Sequence, residues 1–108
     1  MGLDQYAFAT KGDEKHEIAY WRKHANLQGW MEALYRSKGG TDVFNCIPVE
    51  LDEEDLDKLE KEYKSLATAT GFFWGASHPD DDIDTACFIE KAREYLIDGY
   101  TIEYDSWW

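Results

Sequence analysis

Cysteine is nearly absent from this sequence, with Cys46 and Cys87 its only examples, and proline is as rare at two residues. Thiols so far apart, neither in a CxxC pair, make no disulfide framework, and both are expected to be reduced and buried. Histidine is scarce too. His16, His24 and His78 show neither HxxxH nor HxH spacing, so no zinc site is expected. Positive charge is in short supply as well, with 11 Lys and Arg against 23 Asp and Glu and a formal net charge of -12. A chain this acidic has no basic stripe to release counterions from phosphates, so neither direct nucleic-acid binding nor docking on anionic lipid is expected. Long apolar runs are also missing, since none approaches the roughly 20 residues that span a bilayer. The opening MGLDQYAFAT has no basic stretch followed by an apolar core, so no secretory signal is read and a cytoplasmic location is expected. GxSxG, GxGxxG and the Walker loop are all absent, which nominates no catalytic mechanism and no cofactor.

Aromatic residues, by contrast, are plentiful: the 108 residues include 5 Trp, 7 Tyr and 5 Phe. That much apolar area argues against disorder, and the length suits a single domain over residues 1–108.

Period-two and period-3.6 segments alternate along the chain. Leu3, Gln5, Ala7 and Ala9 share one face of a first strand and Asp4, Tyr6 and Phe8 the other. Lys11 to Lys15 reads as a charged turn, and Glu17 to Arg22 as a second strand. Leu27, Trp30, Met31 and Leu34 then mark a helix, with Asn26 as its N-cap and Gly39 as its stop. Val43 to Leu51 reads as a third strand in which Pro48 points to an edge or an end.

Asp52 caps a second helix running to about Leu66, with Glu53, Glu54 and Asp55 at its positive end. GFFWG at 71–75 is a brief strand or packed loop. A third helix from about Asp82 to Ile97 turns Ile83, Ala86, Cys87, Ile89, Ala92 and Leu96 inward, and Tyr100 to Trp108 alternates as a last strand. The expected fold class is α+β, a mostly antiparallel sheet of about four strands, including the segments around Tyr6, Tyr20, Phe44 and Ile102, covered by three helices.

Two constellations merit a test. Asp80, Asp82 and Asp84 fit the first positions of a calcium loop, but Thr85 replaces its glycine and Lys91 its bidentate glutamate, so no metal is expected there. The passage YWRKHANLQGWM at 20–31 gathers aromatic rings, cations and amides at a strand-to-helix turn, where free amides suit an anionic or carbonyl group. The ligand-binding residues read from it are Trp21, Arg22, His24 and Gln28, joined by Trp74 and Trp107 as apolar walls. The competing account makes the rings core and pairs the cations with neighbouring carboxylates.

The blocks MGLDQYA, EIAYWRKHANLQGWM, DVFNCIPVEL, ATGFFWG, FIEKAR and YDSWW together resemble a family of small proteins found in tailed bacteriophages and related bacterial or marine metagenomic sequences. The resemblance spans nearly the whole chain. It implies expression in the cytoplasm of an infected bacterium and brings no catalytic residue with it. The leading functional expectation is a non-catalytic phage accessory protein, a monomer or weak homodimer, that binds a host protein or a small anionic or polar ligand through an aromatic surface. The alternatives are a small enzyme with a site at residues 20–31 plus the last strand, and an acidic mimic of nucleic acid.

Overall fold

Alternation in the first strand sets the layers. In the computed structural model, which describes residues 3–66 and 81–108, Leu3, Gln5, Ala7 and Ala9 are fully buried while Asp4, Tyr6, Phe8 and Thr10 between them are half-buried. This strand, β1 (Asp4–Lys11), forms a hairpin with β2 (Glu14–Arg22) across a two-residue turn whose Gly12 has φ 58°. Positive φ at the first turn position is what such tight hairpins demand, so the charged turn is narrower than its composition suggests. A bulge at Ala7/Phe8 shifts the register and lets Ile18 join Trp21 on the buried side.

The remaining elements are α1 (Ala25–Ser37), β3 (Val49–Leu51), α2 (Glu53–Glu62), α3 (Asp81–Ile97) and β4 (Thr101–Trp107). The sheet order is β2-β1-β4-β3 with every neighbouring pair antiparallel, so the fold is α+β. The helices cover one face. Leu27 and Met31 of α1, Leu56 and Leu59 of α2, and Phe88, Ile89 and Ala92 of α3 share one core with Ala7, Ala9, Trp21, Ile102 and Tyr104 of the sheet. Alanines on β1 leave room there for a row of rings: Phe88 to Trp21 at 5.3 Å, Trp21 to Tyr104 at 6.1 Å, Tyr104 to Phe44 at 6.2 Å and Phe44 to Tyr35 at 5.0 Å.

Four elements depart from the sequence reading. The third strand is only Val49–Leu51, and Phe44 is buried core outside the sheet. Residues 43–48 are tied to the end of β4 by other means. The Cys46 amide donates to the Ser106 carbonyl at 2.7 Å, the Trp108 indole donates to the Phe44 carbonyl at 2.8 Å, and Asn45 bonds both backbone groups of Trp108 at 3.1 and 3.2 Å. With Cys46 at φ 61° and Pro48 lacking an amide hydrogen, a regular ladder cannot extend back to Val43.

The N-cap of α1 is His24, without a side-chain cap, and not Asn26. Its backbone is satisfied from another strand, as described below. The Asp52 cap of α2 does form, as a capping box with Asp55, but the helix ends at Glu62 because the Ser65 amide turns back to the Glu62 carbonyl at 2.9 Å.

In α3 the buried stripe is Asp81, Thr85, Phe88, Ile89 and Ala92, while Ile83 is 65% exposed and Cys87 is exposed. Cys46 is exposed as well, so both thiols are free and outside the core rather than buried.

Candidate functional site

The face of the sheet away from the helices carries side chains in rows set by the strand register. One row runs Tyr20, Tyr6, Asp105; the next runs Glu17, Phe8, Glu103, Glu50; Arg22, Asp4 and Trp107 form a third. Tyr6 sits centrally. Its ring lies 5.2 Å from Tyr20, 6.0 Å from Phe8 in a stacked arrangement and 6.5 Å from Trp107 edge-on. Tyr20 is 44% and Trp107 59% exposed, so a contiguous aromatic patch faces solvent.

Charged groups surround it. The Lys15 ammonium lies 4.3 Å from the centre of the Phe8 ring, a cation–π contact made within the chain. The Tyr20 hydroxyl donates to Asp4 at 2.9 Å, which holds that phenol above its ordinary range, and Arg22 lies 3.9 Å from the same carboxylate. Thr10 donates to Glu103 at 3.3 Å, while desolvation pushes the Asp105 carboxyl up despite the Ser106 amide and Lys15. Asp4, Glu17, Glu50, Glu103 and Asp105 thus outnumber Lys15 and Arg22 on this face.

The sequence-derived site divides between the two faces. Trp21, His24 and Gln28 are buried at 1%, 3% and 0% exposure between sheet and helices. Arg22 and Trp107 stand on either side of Asp4 in one row of the open face, and Trp74 falls outside the described residues, as do His78, Asp80 and the 71–75 run. The physical reason is the period of two: consecutive residues of β2 point to opposite sides of the sheet, so Trp21 and Arg22 cannot line one concavity.

The buried half forms a hydrogen-bond network. The Gln5 side chain donates to the His24 carbonyl at 3.0 Å and to the Tyr104 hydroxyl at 2.8 Å, and accepts from the His24 amide at 2.8 Å. Tyr104 in turn donates to Gln28, whose amide reaches the Phe44 carbonyl at 3.4 Å, and burial drives the Tyr104 phenol far above its ordinary range. Trp21 donates to Thr85 at 3.1 Å, and Thr85 to the Asp81 carbonyl at 3.0 Å.

Burial lowers the His24 imidazole below its ordinary value of 6.5, against the pull of Asp81, Asp82 and Asp84. Its Nδ1 lies 3.7 Å from Asp81, beyond the reach of a direct hydrogen bond. Gln5, Thr85 and Tyr104 were not singled out by the sequence. Gln5 was visible as the one polar member of the Leu3, Gln5, Ala7, Ala9 stripe, a position that demands a buried partner.

Surface clefts occur on the helical side, one of about 200 Å³ lined by Glu53, Arg93, Leu96 and Ile97, and another of about 310 Å³ that shares Arg93. Arg93 is itself engaged by Asp57 at 2.8 Å and Glu60 at 3.5 Å. With Asp55 bound to Lys38 at 2.7 Å, three of the six acids of α2, Asp55, Asp57 and Glu60, are drawn into ion pairs, and Lys58 and Lys61 interrupt the acidic run along the helix. Among the described residues, no cluster of three His, Cys, Asp or Glu is placed to hold a metal ion, and no helix is long and apolar enough to cross a membrane.

No protein-family model matches this chain, and no curated protein or solved structure matches it either.

Proposed function

We propose that this chain is a non-catalytic binding protein, an accessory protein of the phage type that its sequence blocks resemble, which holds a host protein against the open face of its sheet. The observation that carries the reading is the patch of Tyr6, Phe8, Tyr20 and Trp107, displayed on three adjacent strands and uncovered by the described helices. Large rings on a rigid sheet lose little side-chain freedom on contact and dominate interface energetics. Their spread over three strands suits a macromolecular surface better than a small ligand. The enzyme reading has less support, because Trp21, His24 and Gln28 are engaged within the core. The nucleic-acid mimic has less as well, given the pairing of Asp55, Asp57 and Glu60 with cations.

The test is affinity capture from infected-cell lysate with the wild-type chain and a Phe8→Ser/Trp107→Ser variant of unchanged far-ultraviolet circular dichroism. A host protein retained by the first and lost by the second is expected. Equal retention by both would remove this face from the interaction.

A further inference from the structure

The open face also indicates the chemistry of its partner, given the reading of that face as a binding surface. We infer that the occupant is a protein segment in which lysine or arginine side chains alternate with apolar ones. Three observations converge on this chemistry. First, the face already receives a cation: the Lys15 ammonium rests 4.3 Å from the Phe8 ring centre, so an aromatic surface of this composition accommodates an ammonium group.

Second, Glu50 of β3 and Glu103 of β4 stand directly opposite each other, in the row that also holds Phe8 and Glu17. Like charges facing across neighbouring strands destabilise a sheet. Thr10 gives Glu103 one hydrogen bond at 3.3 Å, but a hydroxyl does not neutralise the pair. A cation placed over this row relieves repulsion that the free protein bears.

Third, charge complementarity excludes the other occupants. A second copy would set Asp4, Glu17, Glu50, Glu103 and Asp105 against themselves on chains that each carry a net charge of -12. An anionic membrane or a nucleic acid meets the same obstacle. An apolar segment without cations would cover the rings but leave the carboxylates desolvated and unpaired.

The experiment titrates the isotope-labelled full chain with three synthetic peptides: alternating lysine and leucine, alternating glutamate and leucine, and alternating lysine and serine. The lysine–leucine peptide is expected to shift the amide resonances of Tyr6, Phe8, Tyr20, Glu103 and Asp105 and the indole of Trp107. It should bind at least about tenfold more tightly than either other peptide, with an affinity that falls as salt rises. Glu50→Gln/Glu103→Gln should weaken that binding about tenfold while raising the melting temperature of the free protein, a combination that simple damage to the fold would not produce.

Equal shifts on this face from the lysine–leucine and glutamate–leucine peptides would overturn the cationic partner and leave the face standing as a binding surface. Equal binding by the lysine–serine peptide, or shifts confined to the acids of α2, would show attraction to net charge alone and overturn the inference. No shift on the face with any peptide, together with equal retention of lysate proteins by the Phe8→Ser/Trp107→Ser variant, would remove both readings. Sedimentation that reports a dimer through this face would also contradict it.

Discussion

The Gln5 side chain pairs with the backbone of His24 as a neighbouring strand would, donating to its carbonyl at 3.0 Å and accepting from its amide at 2.8 Å. Asn45 does the same for Trp108, at 3.2 and 3.1 Å. Each amide takes over where a regular ladder stops: Gln5 where β2 gives way to α1, Asn45 where β4 ends. The two amides thus supply backbone hydrogen bonds where strand pairing ends.

Replacing Gln5 with leucine keeps the bulk but removes the acceptor of the His24 amide and one of two donors to the His24 carbonyl, which keeps the Gln28 amide at 3.1 Å, at a cost of about 1 to 3 kcal/mol. Tyr104→Phe removes the hydroxyl that joins Gln5 to Gln28 and should cost about 1 to 2 kcal/mol. Because the two share one network, the double variant should lose less than the sum. Urea unfolding with an unchanged denaturant slope is the measurement, and additive losses would show that the network is not coupled.

Helix α2 depends on its first turn, where the Asp52 carboxylate accepts from the Asp55 amide at 2.9 Å and Asp55 accepts from the Asp52 amide at 3.0 Å. Asp52→Ala should destabilise the protein by about 1 kcal/mol, while Asp52→Ser should retain most of the stability. Thermal or urea unfolding of the pair of variants checks this.

How far the sequence shows the fold depends on which signal an element used. Strands β1 and β4 were legible because their inward residues alternate cleanly, and α2 because its cap and acidic first turn adjoin an apolar stripe. The inward face of α3 was misread because Ile83 and Cys87 outrank Thr85 and Asp81 in apolarity. The turn that faces the sheet is the one whose Thr85 hydroxyl meets the Trp21 indole, a cross-chain pairing that hydropathy does not encode. The third strand was overextended because the apolar character of Phe44 and Ile47 resembles strand pattern, whereas their segment is held by Asn45 and by the backbone of β4. At the candidate site, composition pointed to Arg22 and Trp107, but the open face owes its patch to register. Tyr6, Phe8 and Tyr20 were readable as strand residues and not as neighbours of Trp107.

Acidification should weaken the fold through His24. Its imidazole is lowered below 6.5 by burial, so the unfolded chain takes up a proton that the folded chain resists, and stability falls as pH drops below that value. Asp105, whose carboxyl is raised by desolvation, acts in the opposite direction at lower pH. The melting temperature should therefore fall between about pH 7.5 and about pH 5.5 in the wild type and fall less in His24→Gln. Equal slopes in the two proteins would assign the dependence to other groups.

Exposure of Cys46 and Cys87 makes both thiols accessible in the native state. A soluble colorimetric thiol reagent should titrate the same two groups with and without denaturant. A native count below the denatured one would show that one of them is shielded.

If the sheet face away from the described helices is where this protein meets its partner, the most direct measurement is site-specific photo-crosslinking in infected cells. A benzophenone side chain placed at Tyr20, on that face, should yield a discrete crosslinked product, and one placed at Ala33, beside Trp30 and Leu34 on the helical side, should yield none. A discrete product from Ala33 and none from Tyr20 would contradict the account.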